Sequence, residues 1–312
     1  MTSYLVTGGA GFIGSNIVET LVARGDSVTV VDNLSTGKRE NLAPFLSKIK
    51  FIEGDICDAA AMAEAVKGVE YVFHEAALPS VPRSVADPLA SNSAQVDGTL
   101  TMLLAAKKAG VRRVIYAGSS SVYGDTEQSS KVETMAPNPK SPYAVGKLTG
   151  EYYCRVWHTL YGLETVVLRY FNVFGPRQDP QSQYAAVAPL FITAIMNGRR
   201  PVIHGDGLQS RDFTYIENVV NANILACGAP KAAGEVINVA CGERTTVLQM
   251  ARYIAEILGA KLEPEHTPTR PGDIRHSLAD IAKARGLLGF EPKVGVREGL
   301  ARTVEWYRKM AR

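Results

Sequence analysis

SYLVTGGAGFIG, at residues 3–14, joins a short apolar stretch to three glycines that recur at every third position. The apolar residues predict a β-strand, and the residues after the last glycine predict a helix. In such a unit Gly8 permits the tight turn, Gly11 lets a pyrophosphate approach the backbone, and Gly14 lets the helix pack closely on the strand. The helix N-terminus then offers free N–H groups and a partial positive charge to phosphates. The stretch therefore predicts a dinucleotide-binding turn at the start of the chain.

The second predicted strand, residues 27–31, ends on Asp32. A carboxylate at this position can accept hydrogen bonds from the hydroxyl groups of an adenosine ribose, and it would repel a 2′-phosphate. Lys38 and Arg39 lie nearby in the sequence and can weaken that preference. NAD, rather than NADP, is therefore the predicted cofactor.

Two further strands are predicted at residues 50–53 and 69–74, and each runs into a short motif, GDI and HEAA respectively. The GDI motif can hold an adenine ring by its amine and its face, and the small residues of HEAA leave room for a dinucleotide. Strands and helices continue to alternate as far as residue 147. This alternation predicts a doubly wound parallel sheet, an α/β fold of the Rossmann type.

A second chemical motif is YAVGK, at residues 143–147. On a helix this spacing puts Tyr143 and Lys147 on one face, one turn apart. An ammonium beside a phenol favours the phenolate, so we expect the pKa of Tyr143 to fall toward the range of a general base. Ser119 follows another apolar run, and its hydroxyl can share the proton between a substrate and Tyr143. An ordinary amphipathic helix is the alternative, which the dinucleotide motif disfavours.

The composition narrows the function classes. The chain has 312 residues, 46% of them hydrophobic, and a formal net charge of +3. It can therefore form one large or two closely joined domains, and it has no basic block that would indicate nucleic acid. It contains neither an apolar run of about 18 residues nor a charged leader, so we expect no membrane span and no signal peptide. The four cysteines and five histidines are scattered, which predicts reduced thiols, a cytoplasmic protein and no metal site.

Taken in order, GGAGFIG, Asp32, GDI, HEAA, GSSSVYG and the Tyr143/Lys147 pair resemble the extended short-chain dehydrogenase/reductase family. More narrowly, the chain resembles nucleotide-sugar 4-epimerases of the UDP-glucose and UDP-N-acetylglucosamine type, over nearly its whole length. The resemblance implies a tightly held NAD and a catalytic set of Ser119, Tyr143 and Lys147. The expected cofactor contacts are Gly8, Gly11, Phe12, Ile13, Gly14, Asp32, Asn33, Asp55, Ile56, Ala76, Ala77, Tyr143, Lys147 and Tyr170.

The second half of the chain carries the expected substrate contacts. The resemblance places Asn172, Arg211 and Arg270 on the substrate diphosphate, where a guanidinium fork suits phosphate oxygens. It also places Asp273 on the uridine ribose, and Phe213 can stack on the uracil. The full set of expected substrate contacts is Ser119, Ser120, Tyr143, Asn172, Ala186, Val187, Arg211, Phe213, Arg270, Asp273 and Ser277.

The domain boundary is predicted where the composition changes to a polar loop. Residues 1–173 form the expected NAD-binding domain, and residues 174–312 form a smaller α/β domain for a UDP-sugar. A segment near residues 214–240 is expected to return to the first domain, because it contains an apolar strand pattern.

The resemblance implies NAD-dependent 4-epimerisation of a UDP-hexose through a 4-keto sugar. Related 4,6-dehydratases carry an Asp-Glu pair at the positions of Ser120 and Ser121, and related decarboxylases carry a Glu at the second. Hydroxyl residues here disfavour elimination and decarboxylation. A sugar-nucleotide dehydratase and a UDP-glucuronate 4-epimerase stay alternatives, the latter with Arg83 as a candidate for the sugar carboxylate. A non-catalytic dinucleotide sensor is disfavoured, because the catalytic set is retained.

Ser277 bears on the identity of the sugar. Epimerases restricted to plain hexoses have a bulky Tyr at the matching position, whereas a Ser leaves room beside the C2 group of the sugar. We therefore expect interconversion of UDP-N-acetylglucosamine and UDP-N-acetylgalactosamine, and of UDP-glucose and UDP-galactose.

Gln95 departs from the family pattern, which usually has Asn near this position. Its amide lies one methylene further from the backbone, so cofactor or sugar positioning can differ. The resemblance also implies a homodimer. Its interface would consist of a helix from about residue 95 to residue 109 and the helix that carries Tyr143 and Lys147.

Overall fold

The computed structural model describes residues 1–126, 128, 130–181, 186–269 and 275–310. Within these residues, seven parallel strands form one sheet in the order β11-β6-β5-β4-β1-β2-β3. Their side chains are almost continuously apolar, as expected for a parallel sheet that is covered on both faces. The strands are β1 (Ser3–Thr7), β2 (Ser27–Asp32), β3 (Ile49–Glu53), β4 (Tyr71–His74), β5 (Arg113–Ser119), β6 (Glu164–Tyr170) and β11 (Val236–Val239). The predicted doubly wound α/β fold is confirmed.

Helices cover both faces of this sheet. On one face α1 and α8 pack on the strands through residues such as Val18 and Val219. On the other face α2, α5 and α6 contribute Met62, Met102 and Trp157 to a second core. The helices of the described residues are α1 (Phe12–Ala23), α2 (Ala59–Ala65), α3 (Val81–Ala86), α4 (Pro88–Asn92), α5 (Gly98–Ala109), α6 (Pro142–Tyr161), α7 (Val187–Met196), α8 (Ile216–Gly228), α9 (Val247–Leu258), α10 (Ala282–Leu288) and α11 (Val296–Met310).

The order of the strands positions the site. Strand β1 lies between β4 and β2, so the chain winds outward in both directions from this point. Ligands of open α/β sheets bind at such a switch point, beyond the carboxyl ends of the strands. Here those ends are Thr7 of β1, His74 of β4, Ser119 of β5 and Tyr170 of β6. The pairing puts Thr7 opposite His74 and Ser119 opposite Tyr170.

The second half of the chain adds short strands and helices beyond this edge. Strands pair as β7 with β10, β9 with β12 and β8 with β13. Their ranges are β7 (Val173–Phe174), β8 (Val202–His204), β9 (Ser210–Arg211), β10 (Thr214–Tyr215), β12 (Thr245–Thr246) and β13 (Glu265–Thr267). Strand β11 pairs with β6, so this stretch joins the main sheet. The division into two domains at residue 173 stays a prediction.

Three predicted helices have different beginnings. Helical apolar spacing predicts a helix over residues 183–197, and its described part starts at Val187. The same spacing predicts a closing helix around residues 304–312, which starts at Val296 because Val296 and Leu300 extend its buried stripe. The helix expected from residue 95 is preceded by one π-helical turn, Ser93–Asp97. A screen of the described helices for length and hydropathy finds none that could cross a membrane.

Candidate active site

A cavity of about 350 Å³ opens at the carboxyl edge of the sheet, beside the switch point. It is formed by the ends of β5 and β6, the start of α6 and segments of the second half of the chain. Its lining residues are Ile13, Gly118, Ser119, Ser120, Ser121, Lys131, Tyr143, Tyr170, Asn172, Val173, Arg211 and Ser277. Two of the three predicted catalytic residues, Ser119 and Tyr143, and four of the other predicted substrate residues are therefore brought together, whereas Lys147 is not among the described lining residues.

The glycine turn has the geometry that a dinucleotide requires. Gly8 has a φ of +66°, and a Cβ atom there would lie 2.7 Å from the backbone nitrogen of Ala76. A Cβ on Gly14 would collide with the carbonyl oxygen of Gly8, so helix α1 can approach the turn only without a side chain. Among the described residues, α1 has no side-chain cap at Gly11. Its first N–H groups are thus left for an anion, and the turn fits the phosphates of NAD.

Asp32 is held in place at the end of β2. Its Oδ2 accepts a hydrogen bond from the N–H of Ala10 (2.9 Å), and its Oδ1 accepts one from Leu34 (2.8 Å). Burial raises the pKa of this carboxyl group, and the two N–H donors oppose the rise. A carboxylate has about four acceptor positions, so lone pairs remain for the ribose hydroxyls of NAD.

The two cations expected to weaken the preference for NAD are engaged by carboxylates. Lys38 pairs with Asp179 at 2.9 Å, and Arg39 pairs with Glu53 at 2.7 Å. Neither contact involves Asp32. The residues present therefore fit NAD.

The predicted adenine contacts form a small cluster beyond β3. Asn33 donates from Nδ2 to Asp55 at 2.8 Å, and the N–H of Cys57 donates to the other oxygen of Asp55. The Cys57 N–H holds the pKa of Asp55 below its usual range. Ile56 is buried and faces Gly98, where a Cβ atom would lie 2.5 Å from its Cδ1.

A chain of hydrogen bonds fixes the end of β4. Thr99 can only donate to the carbonyl oxygen of Gln95 (2.6 Å), so it accepts from Nε2 of His74 at 3.1 Å. Nδ1 of His74 then accepts from Thr7 at 2.8 Å, and Thr7 accepts from the N–H of Ala76 at 3.3 Å. Burial lowers the pKa of His74 to about 3, so the ring is neutral. This chain positions the backbone of Ala76, one of the predicted cofactor residues.

Tyr143 and Lys147 are presented by the first two turns of α6. Ser141 caps this helix by accepting from the N–H of Ala144 at 3.2 Å. Lys147 is buried and donates from Nζ to the carbonyl oxygen of Ala117 at 2.8 Å. Burial lowers the pKa of Lys147. The helix therefore holds Tyr143 at the cavity and Lys147 one turn further along, fixed against β5.

The expected fall in the pKa of Tyr143 is not found. Burial raises this pKa, a hydrogen bond from Ser119 opposes the rise, and the charge of Glu75 adds to it. Lys147 is occupied by Ala117, and the protein groups alone do not favour the phenolate.

Ser119 stands at the end of β5 with its oxygen already used as an acceptor. The N–H of Ser121 donates to it at 3.2 Å, and the hydroxyl of Ser121 donates at 2.9 Å. The proton of Ser119 itself is therefore available for donation toward Tyr143 or a substrate.

Glu75 lies next to the cavity, bonded to the lining residue Tyr170, and was not among the predicted residues. Its Oε1 accepts a hydrogen bond from the hydroxyl of Tyr170 at 2.8 Å, and that hydroxyl accepts from Nδ2 of Asn223 at 2.9 Å. Burial raises the pKa of Glu75, and both Tyr170 and Lys147 oppose the rise. The HEAA motif gave the position of Glu75, but not these partners.

Asp212, which was not among the predicted residues, joins the segments of the second half of the chain that border the cavity. Its carboxylate accepts from the backbone N–H groups of Cys241 (3.0 Å), Gly242 (3.0 Å) and Ala279 (3.2 Å). Burial raises the pKa of Asp212 to about 6. Asp212 follows Arg211 directly, so this contact fixes Arg211 relative to the segment that contains Ser277.

Two cavity residues on this side have constrained backbones. Asn172 has a φ of +34° and donates from Nδ2 to the carbonyl oxygen of Asp212 at 3.1 Å. The N–H of Ser277 donates to the carbonyl oxygen of Ser210 at 3.0 Å. The side chain of Ser277 does not take part in that bond.

Some predicted residues are not brought to this cavity. Phe213 is buried against Phe174, with ring centroids 6.5 Å apart and edge to face. Of the described lining residues, none is Ala186, Val187 or Arg83. Arg270 and Asp273 lie outside the described residues.

Gln95 is buried in the π-helical turn and faces α6. Its Nε2 donates to Ser91 at 3.0 Å and to the carbonyl oxygen of Leu78 at 3.4 Å. A Cβ atom on Gly146 would lie 2.8 Å from its Oε1. The longer amide thus contacts the catalytic helix between Tyr143 and Lys147.

The chain is similar to proteins of a known family. Residues 4–240 match the model of the NAD dependent epimerase/dehydratase family. The chain is 43% identical over 310 residues to a UDP-glucose 4-epimerase of Mycolicibacterium smegmatis, covering 97% of this chain and 98% of that protein. A UDP-N-acetylglucosamine 4-epimerase from Methanobrevibacter ruminantium M1, solved with UDP-N-acetylmuramic acid, is similar with a TM-score of 0.94, 44% identity and 99% coverage of both chains. A UDP-glucose 4-epimerase from Thermotoga maritima, solved with UDP-glucose, has a TM-score of 0.94, 42% identity and 99% coverage of both chains.

Proposed function

The chain belongs to the NAD-dependent epimerase/dehydratase family, and from this premise we propose that it is a UDP-sugar 4-epimerase. The substrates are UDP-N-acetylglucosamine and UDP-N-acetylgalactosamine, together with UDP-glucose and UDP-galactose. One observation carries the proposal: Ser119, Tyr143 and Ser277 line the same cavity as Arg211. The same cavity thus contains a pair of residues for proton transfer, an open position for the C2 group of the sugar and an anchor for the diphosphate.

Tyr143 and Ser119 carry out the proton transfer. Tyr143 takes the proton from O4 of the hexose, directly or through the hydroxyl of Ser119, and later returns it. Lys147 keeps a buried cation one helical turn away. When bound, NAD supplies reversible hydride acceptance, so no external redox partner is needed. The protein groups alone leave the pKa of Tyr143 raised, and the positive charge of the oxidised nicotinamide would lower it.

Arg211 and Asn172 anchor the substrate. A guanidinium binds phosphate oxygens bidentately, and Asp212 keeps Arg211 fixed. With the diphosphate held at that end, the sugar can turn within the cavity between its two faces. Arg270 and Asp273 stay predicted contacts from the family motif.

The alternatives have less support. Ser120 and Ser121 line the cavity where a dehydratase would need an acidic pair. Arg83, the candidate for a uronate carboxylate, is not among the described lining residues. A UDP-glucuronate 4-epimerase is therefore the second candidate, and the experiment below includes it.

Product analysis tests the function. The purified protein would be incubated with UDP-N-acetylglucosamine, UDP-glucose or UDP-glucuronate, without added NAD, and the products resolved by proton NMR. We expect the galacto epimers of the first two. Conversion of UDP-glucuronate alone would replace the proposal by uronate chemistry, and no conversion of any sugar, even with NAD supplied, would refute it.

We also propose a homodimer that is formed through α5 and α6. Apolar side chains that are exposed in the single chain follow one stripe of α6. They are Val145 (51% exposed), Tyr152 (50%), Val156 (40%) and Leu160 (74%). Leu104 on α5 is 56% exposed. A contiguous apolar stripe supports an interaction surface, and a second copy is the occupant that the family resemblance implies. The cytoplasmic location stays a prediction.

A further inference from the structure

Lys131 is a buried lysine that the reaction described above does not use. It is 2% exposed, and it lines the cavity together with Ser119, Ser121 and Ser277. Lysine is almost never fully buried without a partner, because removing an ammonium from water is costly. A buried lysine at the wall of a substrate cavity therefore calls for an explanation.

The backbone of Lys131 is held against the segment that follows Ser277. Its N–H donates to the carbonyl oxygen of Leu278 at 2.8 Å, and its carbonyl oxygen accepts from the N–H of Asp280 at 2.9 Å. Nδ2 of Asn238 donates to the same carbonyl oxygen at 3.0 Å. The position of Lys131 beside Ser277 is thus fixed by main-chain contacts, which do not depend on its side chain.

The ammonium group is only partly satisfied by the protein. An ammonium has three N–H donors, and in the described part of the chain one of them has an acceptor, the carbonyl oxygen of Gly124 at 3.1 Å. The group also lies 5.7 Å from the centroid of the Tyr123 ring. No described carboxylate lies within ion-pair distance of it; Asp125 acts on it only at longer range. The other two donors have no acceptor among the described residues.

The electrostatic surroundings add to this deficit. Burial lowers the pKa of Lys131, the positive charge of Arg211 lowers it further, and Asp125 opposes both effects. In the proposed function the diphosphate would neutralise Arg211. The charge of Lys131 would still face the part of the cavity between Ser119 and Ser277, where the sugar is expected.

We propose that Lys131 is a specificity residue, which donates hydrogen bonds to an sp² oxygen on a substituent of the sugar. This inference rests on the proposed function and deepens it. The oxygen belongs to an acetamido carbonyl or to a carboxylate, since both are stronger acceptors for an ammonium than a sugar hydroxyl. Ser277 leaves the space for the substituent, and Lys131 supplies the attraction. Plain hexoses lack this oxygen and gain nothing from the contact.

Binding and turnover of Lys131→Met test the proposal. The methionine fills a similar volume without donors. UDP-glucose, UDP-N-acetylglucosamine and UDP-glucuronate would each be compared in turnover, and in calorimetric titrations of the inactive Tyr143→Phe protein with and without Lys131→Met. Loss of a charged hydrogen bond predicts about a 10- to 100-fold weaker binding of a substituted sugar, with UDP-glucose unchanged within about threefold.

The three sugars separate the possible results. Weakening limited to UDP-N-acetylglucosamine supports the acetamido carbonyl, and weakening limited to UDP-glucuronate supports the carboxylate. Equal weakening for all three sugars, or no change for any, would overturn the role of Lys131. If the unmodified protein turns over none of them, the proposed function fails, while the titrations still test Lys131.

Thermal unfolding without ligand distinguishes specificity from a structural role. Removing an incompletely paired buried cation is expected to leave the Tm unchanged or raised. A clear fall in Tm would mean that Lys131 supports the fold, which contradicts the proposal. Lys131→Gln, which keeps a neutral donor, serves as a second variant. We expect it to bind UDP-N-acetylglucosamine better than Lys131→Met does, and an equal deficit in both would count against a donated hydrogen bond.

Discussion

Glu75 places a carboxyl group among the residues that move protons. Its ionised form raises the pKa of Tyr143, and its own pKa is raised by burial. The hydroxyl of Tyr170 donates a hydrogen bond to Glu75 at 2.8 Å. The charge of this one residue therefore opposes formation of the phenolate that the proposed reaction needs.

Replacing Glu75 by Gln should shift the pH dependence of kcat/KM. The general base must be deprotonated, so activity is lost as the pH falls through its pKa. Without the charge of Glu75 the pKa of Tyr143 falls, and the acidic limb of the profile moves to lower pH. A tyrosinate absorbance titration against the Tyr143→Phe protein gives a second readout. Glu75→Asp, which retains the charge, is the matched control. If the acidic limb of Glu75→Gln lies at the same pH as that of the unmodified protein, the charge of Glu75 does not affect the pKa of Tyr143.

Ser277 permits a test of the space beside C2 of the sugar. Ser277→Tyr should reduce turnover of UDP-N-acetylglucosamine by at least about tenfold and spare UDP-galactose, because the phenol would occupy the space of the N-acetyl group. The backbone bond of this residue to Ser210 is kept. Ser277→Ala should keep both activities. Equal losses for the two sugars in Ser277→Tyr would show that this position does not select the substituent.

Single residues were predictable where a short motif carries them. Gly8, Asp32 and Ser119 stand at strand ends, and parallel strands bring such ends to one edge. Glu75 and Lys131 were not recognised, because their partners come from distant parts of the chain. Tyr170 is 95 positions from Glu75, and no local spacing encodes that contact.

At the scale of elements, the turn between β1 and α1 requires glycines, because a side chain at these positions would collide with the backbone. The backbone of Gly8 is close to Ala76, and α1 lies directly on Gly8 and Gly9. The phosphate-binding end of α1 therefore exists only while this packing is kept.

Gly14→Ala should reduce retention of NAD. The added Cβ would lie 2.8 Å from the Cα of Gly9 and collide with the carbonyl oxygen of Gly8. Such overpacking costs about 1–3 kcal/mol, and the strain falls on the phosphate turn. The NAD released on denaturation and the Tm would be measured. Gly286→Ala in α10, where no described atom lies within 4 Å of the added Cβ, is the control, and equal NAD content in both variants would argue against the turn as the cofactor site.

The bounds of a helix could be predicted from the sequence where apolar residues recur at a clear helical spacing. Helical apolar spacing predicts a helix over residues 247–258, and α9 has these bounds, Val247–Leu258, because its buried residues recur at that spacing. The π-helical turn at Ser93–Asp97 was not predictable. Gln95 in this turn contacts Ser91 one turn earlier, and it also contacts Leu78 and the neighbouring α6. The contacts with Leu78 and α6 have no sequence pattern.

For the whole molecule, the stripe on α6 predicts the oligomeric state. Val156→Asp should shift the mass measured by light scattering from a dimer toward a monomer, because a carboxylate would be buried in the interface. Val202→Asp is the control, since Val202 has a similar exposure of 44% but lies on β8, away from the stripe. An unchanged mass in Val156→Asp, or an equal change in both, would contradict the proposed interface.

The fold class could be read from the alternation of strands and helices, whereas the arrangement of the second half could not. Apart from β11, its described strands are only two or three residues long, and they pair with partners far along the chain. Asp212 joins three backbone segments of this half. An isolated aspartate in the sequence gives no indication of such a role.

The hydrogen bonds through His74 form a chain at the end of β4 that does not conduct protons. From the N–H of Ala76 to the carbonyl oxygen of Gln95, each group donates a hydrogen bond to the next one in the chain. A proton could pass along this chain only if the imidazole of His74 became charged. With a pKa of about 3 for His74, that charged form is rare at neutral pH. A proton therefore does not pass between Thr7 and Thr99 through this ring while it is neutral.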